Sequence, residues 1–226
     1  MVNKVEFSAG GKPVLFYGQE RRAPLVILHT VQGEGEKVYQ VLSEMTQAEF
    51  SFAAIDGLNW DDEMSPWPIP PLSKNDTPCT GGADAYLDKL EDEILPGILK
   101  YLPHKPSYIA LTGYSLAGLF ALYAAYRADA FSRLACVSGS FWYPDFIQYV
   151  EGHIMCRKPD KLYFSLGDKE SRTRNKVLKP VEDNSRYLAD YYSRQGIETI
   201  FELNEGNHFY HGAERMARGI AWILEE

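Results

Sequence analysis

The stretch Ile109-Ala110-Leu111-Thr112-Gly113-Tyr114-Ser115-Leu116-Ala117-Gly118-Leu119-Phe120-Ala121 constrains this chain more than any other. A short apolar run leads through one tight turn into a second apolar run, which predicts a buried strand, a turn carrying Ser115, and a buried helix. Sheets that bury such strands have helices on both faces. Gly113, Ala117 and Gly118 are small where the turn must stay tight and the helix must sit close to the sheet. The spacing matches a nucleophile elbow except at Ala117, where glycine is usual and one extra methyl is expected to fit. A serine hydroxyl is a weak nucleophile at neutral pH, and such a turn exposes it beside a base and beside N–H donors for an oxyanion. Ser115 is therefore the candidate nucleophile, against the alternative of a purely structural junction in a doubly wound sheet.

Strand and helix patterns alternate along the rest of the chain. Residues 2–7 and 14–17 read as short edge strands, and residues 24–30 as a buried strand that ends in a Gly-rich loop. A helix is expected over 36–46 and a strand over 50–55. Residues 56–79, rich in Pro, Trp and Asp, read as a long structureless loop, a type that is usually functional. After Gly81-Gly82-Ala83 a helix follows with Tyr86, Leu87, Leu90, Ile94, Ile98, Leu99 and Leu102 at helical spacing, and Pro96 is expected to bend or split it. Beyond the elbow come strands at 133–137, 161–166 and 197–203 and helices at 178–195 and 211–226. The order predicts a mostly parallel sheet covered on both faces, in one domain over 1–226 with no separate cap.

Composition narrows the chemistry. A net charge of −8 and the lack of a long basic run argue against a nucleic-acid partner. The most basic segment, residues 169–176, reads as a solvated loop. The longest apolar run, residues 116–126, is too short to cross a bilayer, so no membrane partner is expected. Residues 1–7 lack an apolar stretch of the secretory type, and a cytoplasmic location is expected. Cys79, Cys136 and Cys156 are odd in number and have no C-x-x-C spacing, so neither a disulfide framework nor a metal site is expected, and no cofactor is implied. Nothing in the chain sets the oligomeric state.

In open α/β sheets the ligand crevice lies at the carboxyl ends of the strands, which filters the candidates for the rest of a site. His208 follows the last strand across Asn204-Glu205-Gly206-Asn207, where an imidazole would take and return the Ser115 proton, and His211 is the fallback base. Gly167-Asp168-Lys169-Glu170, after the strand 161–166, offers two carboxylates to orient that imidazole. The two oxyanion donors are expected to be the Leu116 N–H and an N–H from the loop after the strand 24–30, Val31 or alternatively Thr30. Phe141, Trp142 and Tyr143 leave a strand end, and Trp60 and Trp67 lie in the long loop. Of these, Trp142, Trp67 and Trp60 are the candidate walls of a substrate pocket.

Gly81-Gly82-Ala83-Asp84-Ala85-Tyr86-Leu87 with Glu93-Ile94-Leu95-Pro96, then the elbow, then Ser138-Gly139-Ser140-Phe141-Trp142 together resemble the Putative esterase, or esterase D-like, family of α/β-hydrolases over nearly the whole chain. The family includes enterochelin esterases, feruloyl esterases and S-formylglutathione hydrolases. The resemblance implies that Ser115 is the nucleophile and His208 the base. It also favours Glu170 over Asp168 as the acid, because the family's acid tends to fall three residues after the strand-ending glycine. Residues 59–71 resemble the loop over the entrance of such enzymes. The expected activity is hydrolysis of a small-molecule carboxylic ester through an acyl-enzyme. Acyl transfer by the same triad and a catalytically weak binding role are the alternatives.

Overall fold

Continuous runs of Leu, Ile, Val, Phe and Ala form the strands at the centre of the sheet, as expected when both faces of a strand are covered. The computed structural model describes residues 3–226, so Met1 and Val2, the latter opening the strand expected over 2–7, lie outside the described residues. The strands of the main sheet are β1 (Asn3–Ala9), β2 (Lys12–Gly18), β3 (Leu25–His29) and β4 (Ser51–Ile55), then β7 (Ile109–Tyr114), β8 (Arg133–Val137), β9 (Lys161–Gly167) and β10 (Glu198–Asn204). The long loop carries the other two strands, β5 (Pro68–Ile69) and β6 (Cys79–Thr80). Among the described residues the main sheet has the order β1-β2-β4-β3-β7-β8-β9-β10. β1 and β2 form a hairpin across Gly10 and Gly11, both at positive φ, and β2 runs antiparallel to β4. The remaining pairings are parallel.

Alternation along β3 shows how the layers form. Leu25 and Ile27 face one core with the helices α3 (Ala83–Lys89), α4 (Leu95–Leu99), α5 (Leu116–Ala124) and α7 (Val181–Arg194). Val26 and Leu28 face the other, with α1 (Gly35–Met45) and α8 (Gly212–Leu224). This is the mostly parallel sheet with helices on both faces that the pattern predicts, the architecture of an α/β-hydrolase.

The helix after Gly82 is interrupted as expected, with more detail than the sequence reading supplies. A π-helical turn, Leu90–Ile94, joins α3 to α4, and the Leu95 N–H reaches back to the Leu90 carbonyl. Pro96 has no N–H to give, so it is accommodated in the first turn of α4. Leu90, Ile94 and Ile98 stay fully buried across the junction, and each truncation to Ala there would cost about 2–5 kcal/mol.

Residues 56–79 are not structureless. They hold α2 (Trp60–Glu63), and β5 pairs antiparallel with β6. The Lys12 ammonium donates to Glu63 Oε2 at 2.7 Å and to the Gly57 carbonyl at 2.9 Å, the Lys12 and Glu63 side chains being largely buried, so the segment is pinned to the start of β2. A further helix absent from the sequence reading, α6 (Phe146–Gly152), buries Phe146 and Val150 beneath it. Helix α7 begins at Val181 rather than near 178, because Pro180 sits at its N-cap.

Candidate active site

The turn between β7 and α5 sits at the middle of the sheet, where β7 pairs with both β3 and β8. Ser115 has φ 58° and ψ −123°, a region that a side chain makes costly by about 1–3 kcal/mol. Neighbouring hydrogen bonds hold it there. Its N–H donates to the Val137 carbonyl at 3.0 Å, and its own carbonyl accepts from Gly118, Leu119 and Ser140 at 3.0–3.1 Å. A Cβ on Gly113 would fall 2.3 Å from the Ala117 carbonyl carbon and oxygen, and one on Gly118 would fall 3.1 Å from Gly139 Cα. The Ala117 methyl is thus taken up in space that Gly113 leaves open.

The loop after β10 brings His208 over this turn. Its Nε2 lies 3.0 Å from Ser115 Oγ and its Nδ1 lies 2.6 Å from Glu170 Oε2. With Nδ1–H donating to the carboxylate, Nε2 is left to accept from the serine hydroxyl. Asp168, the other acid, turns away. Its Oδ1 accepts the Gly206 N–H at 2.7 Å, so it holds the loop that carries His208 rather than the ring. His211 is more than half exposed, lies 3.7 Å from Glu214, and does not reach Ser115.

Glu170 is held by a buried network. Its Oε1 accepts from the Gly167 N–H and the Ser138 hydroxyl, each at 2.7 Å, and from Arg215 Nη2 at 3.1 Å. Arg215, 2 % exposed, also donates to the Ser138 hydroxyl and, at 2.9 Å, to the Tyr114 hydroxyl, which donates to the His208 carbonyl at 2.6 Å. Burial pushes the Glu170 carboxyl up, but the His208 ring, with Ser138 and the Gly167 N–H, outweighs it and holds the group near a pKa of about 2. The carboxylate is ionised at neutral pH.

The two expected oxyanion donors are placed differently. Leu116, at the start of α5, lines a cavity of about 680 Å³ that also includes Ser115 and His208. Val31 lines a second cavity of about 520 Å³ that also includes those two residues. Its N–H donates to Glu34 Oε1 at 3.2 Å, and the Gln32 N–H donates to Glu34 Oε2 at 2.8 Å. Thr30, the alternative donor, is committed to the sheet, its N–H and its hydroxyl both directed at the Ile55 carbonyl.

Of the three tryptophans expected to wall the substrate pocket, Trp60 lines both cavities and Trp142 lines the larger. Trp67 lines neither. Its indole N–H donates to the Pro144 carbonyl at 3.1 Å and its ring packs on Phe146, Tyr123, Tyr143 and Tyr149, so it anchors the long loop to the core instead. Phe141 and Tyr143 are likewise core side chains. Among the described residues no three His, Cys, Asp or Glu side chains converge to hold a metal ion.

Four residues of the site escape the sequence reading. Arg215 carries a usable signal, a charged side chain on the apolar face that α8 forms with Met216, Ile220 and Ile223. Tyr114 and Ser138 sit inside motifs noticed for their neighbours. Glu34, beside Val31, has no signal beyond being an acid in a Gly-rich loop.

The family described as Putative esterase matches residues 15–210. A protein of Bacillus subtilis (strain 168) described as uncharacterised protein YbbA is 21% identical over 202 residues, covering 85% of this chain and 80% of that protein. Among solved structures, an IroE-like serine hydrolase from Shewanella oneidensis superposes with a TM-score of 0.72 at 16% identity, over 99% of this chain and 79% of that one. The siderophore hydrolase EstB from Aspergillus nidulans superposes with a TM-score of 0.66 at 19% identity, over 99% of this chain and 94% of that one. Among the described residues no helix is long and apolar enough to cross a membrane.

Proposed function

Because the chain belongs to the Putative esterase family and is a carboxylic ester hydrolase, we propose that it cleaves its substrate by serine catalysis, with Ser115 as nucleophile, His208 as general base and acid, and Glu170 as the orienting carboxylate. The observation that carries the proposal is the unbroken contact from Glu170 Oε2 to His208 Nδ1 at 2.6 Å and from His208 Nε2 to Ser115 Oγ at 3.0 Å. His208 Nε2 takes the hydroxyl proton as Ser115 Oγ attacks the ester carbonyl carbon. The charge that moves onto the carbonyl oxygen is met by the Leu116 N–H and by a second N–H from the Val31 loop. Collapse of the tetrahedral intermediate breaks the bond to the alcohol, which leaves with the proton from His208, and the acyl group stays on Ser115. Water then attacks the acyl-enzyme, His208 again removing and returning the proton.

Glu170, ionised and buried, keeps Nδ1 protonated and stabilises the imidazolium of each transition state. The substrate fits a small-molecule ester, since Ser115 opens on two cavities of about 680 and 520 Å³, within the range of ordinary small-molecule sites. Siderophores, the class named in the description of the Aspergillus nidulans hydrolase, are one candidate. Acyl transfer and a binding-only role have no observation of their own in their favour. A fluorophosphonate probe tests the proposal: it is expected to label the wild-type protein covalently at Ser115 and to leave Ser115→Ala unlabelled, with p-nitrophenyl acetate hydrolysis lost in parallel. Equal hydrolysis by Ser115→Ala would overturn it.

A further inference from the structure

Glu34 stands where the catalytic step needs something else. Val31 and Gln32 direct their N–H groups at its two carboxylate oxygens, at 3.2 and 2.8 Å, and Thr30 is spent on the sheet. One N–H cannot serve a carboxylate and a developing oxyanion with full strength, and a fixed negative charge beside a forming one raises the barrier. For the Val31 loop to act as an oxyanion donor, Glu34 must be drawn away.

Its surroundings indicate what draws it. Glu34 lines the 520 Å³ cavity together with Ser115, His208 and the rings of Trp60, Tyr114 and Phe209. Among the described residues no Lys or Arg lines either cavity, while Asp61 and Asp76 line the larger one. The cleft therefore repels anionic substrates, and the smaller cavity offers a cation the Glu34 carboxylate beside aromatic rings.

We propose that Glu34 is a specificity-determining residue that selects esters bearing a positive charge: the cation pairs with the Glu34 carboxylate, releases the Val31 N–H, and so completes the oxyanion site only when the right substrate is bound. This coupling is a form of induced fit, in which binding energy of the preferred substrate assembles the catalytic site. It rests on the serine-esterase reading above and names the substrate class of that same site.

The test compares acetylcholine, the acetate ester of choline, with its neutral carbon isostere, 3,3-dimethylbutyl acetate, in the wild type and in Glu34→Gln. The choline ester is expected to be favoured in kcat/KM by about tenfold more in the wild type than in Glu34→Gln, a difference that one charge pair supplies and that cancels the intrinsic reactivities of the two esters. Glu34→Ala, which removes the competing acceptor, is expected to cleave the neutral ester about tenfold faster, part of the roughly 10²- to 10³-fold that one oxyanion donor carries. The same preference in the wild type and Glu34→Gln, a neutral ester cleaved no faster by Glu34→Ala, or a wild type that cleaves only the neutral ester would each overturn the proposal. Ser115→Ala separates the two readings: if it retains turnover, serine catalysis fails, whereas the Glu34 outcomes are read with Ser115 intact.

Discussion

His208 Nδ1 lies 2.6 Å from one oxygen of Glu170, and the other oxygen accepts from the buried Arg215 guanidinium at 3.1 Å. The carboxylate thus stands between the imidazole proposed as the general base and a guanidinium that is always cationic. Arg215 fixes where the carboxylate points and leaves one oxygen for the imidazole.

Glu170 and Asp168 should separate in kinetics. Glu170→Gln removes the charge facing the imidazolium and is expected to lower kcat by about 10³- to 10⁴-fold with little change in KM. Asp168→Asn loosens the Gly206 contact, is expected to cost about 1 kcal/mol of stability, and should keep most of kcat. Steady-state kinetics with urea melts on both variants checks the pair.

Arg215→Met leaves the Glu170 carboxylate short of a buried cationic partner. Breaking such a pair from one side is expected to cost about 3–5 kcal/mol, whereas Arg215→Met combined with Glu170→Gln should be less destabilised than Arg215→Met alone. Urea midpoints of the single and double variants read the difference.

At the elbow, Gly113→Ala would put a methyl 2.3 Å from the Ala117 backbone and is expected to cost about 3 kcal/mol or more, with esterase activity lost. Ala117→Gly restores the usual motif and is expected to cost only about 1 kcal/mol, the price of glycine in a helix. Thermal melts alongside initial rates distinguish the two.

Stability should fall on the acid side in two steps. Burial, with the Lys12 charge nearby, lowers His29 from 6.5 to about 3, so it stays neutral in the fold while the unfolded chain takes a proton. Between those pH values the unfolded state binds more protons, and stability declines as pH falls from about 6.5 toward 3. Glu170, lowered from 4.5 to about 2, adds a second loss as pH falls from about 4.5 through 2. The His29 ring meets Tyr86 and Phe120 edge-on, so His29→Leu is expected to fold and to flatten the urea midpoint between pH 6.5 and 4.5. An unchanged slope there would count against a neutral buried His29.

Sequence by itself determined the layers and the serine turn, because strand alternation, helical spacing and the size limit that Ala117 sets at Gly113 act over a few residues. It also narrowed the candidates for the acid and the base to the ends of β9 and β10, since ligands gather at the carboxyl ends of parallel strands. Tertiary structure alone decided the rest. Whether Asp168 or Glu170 meets His208 depends on the path of a loop 38 residues away, and Arg215 enters from a helix 45 residues beyond Glu170. Trp67 became an anchor rather than a pocket wall because Pro144, 77 residues on, supplies the acceptor for its indole N–H. The Val31 N–H is held by Glu34 through a side-chain rotamer that no spacing encodes. Local propensity is written in neighbouring residues, whereas the pairing of polar groups depends on which distant backbones packing brings together.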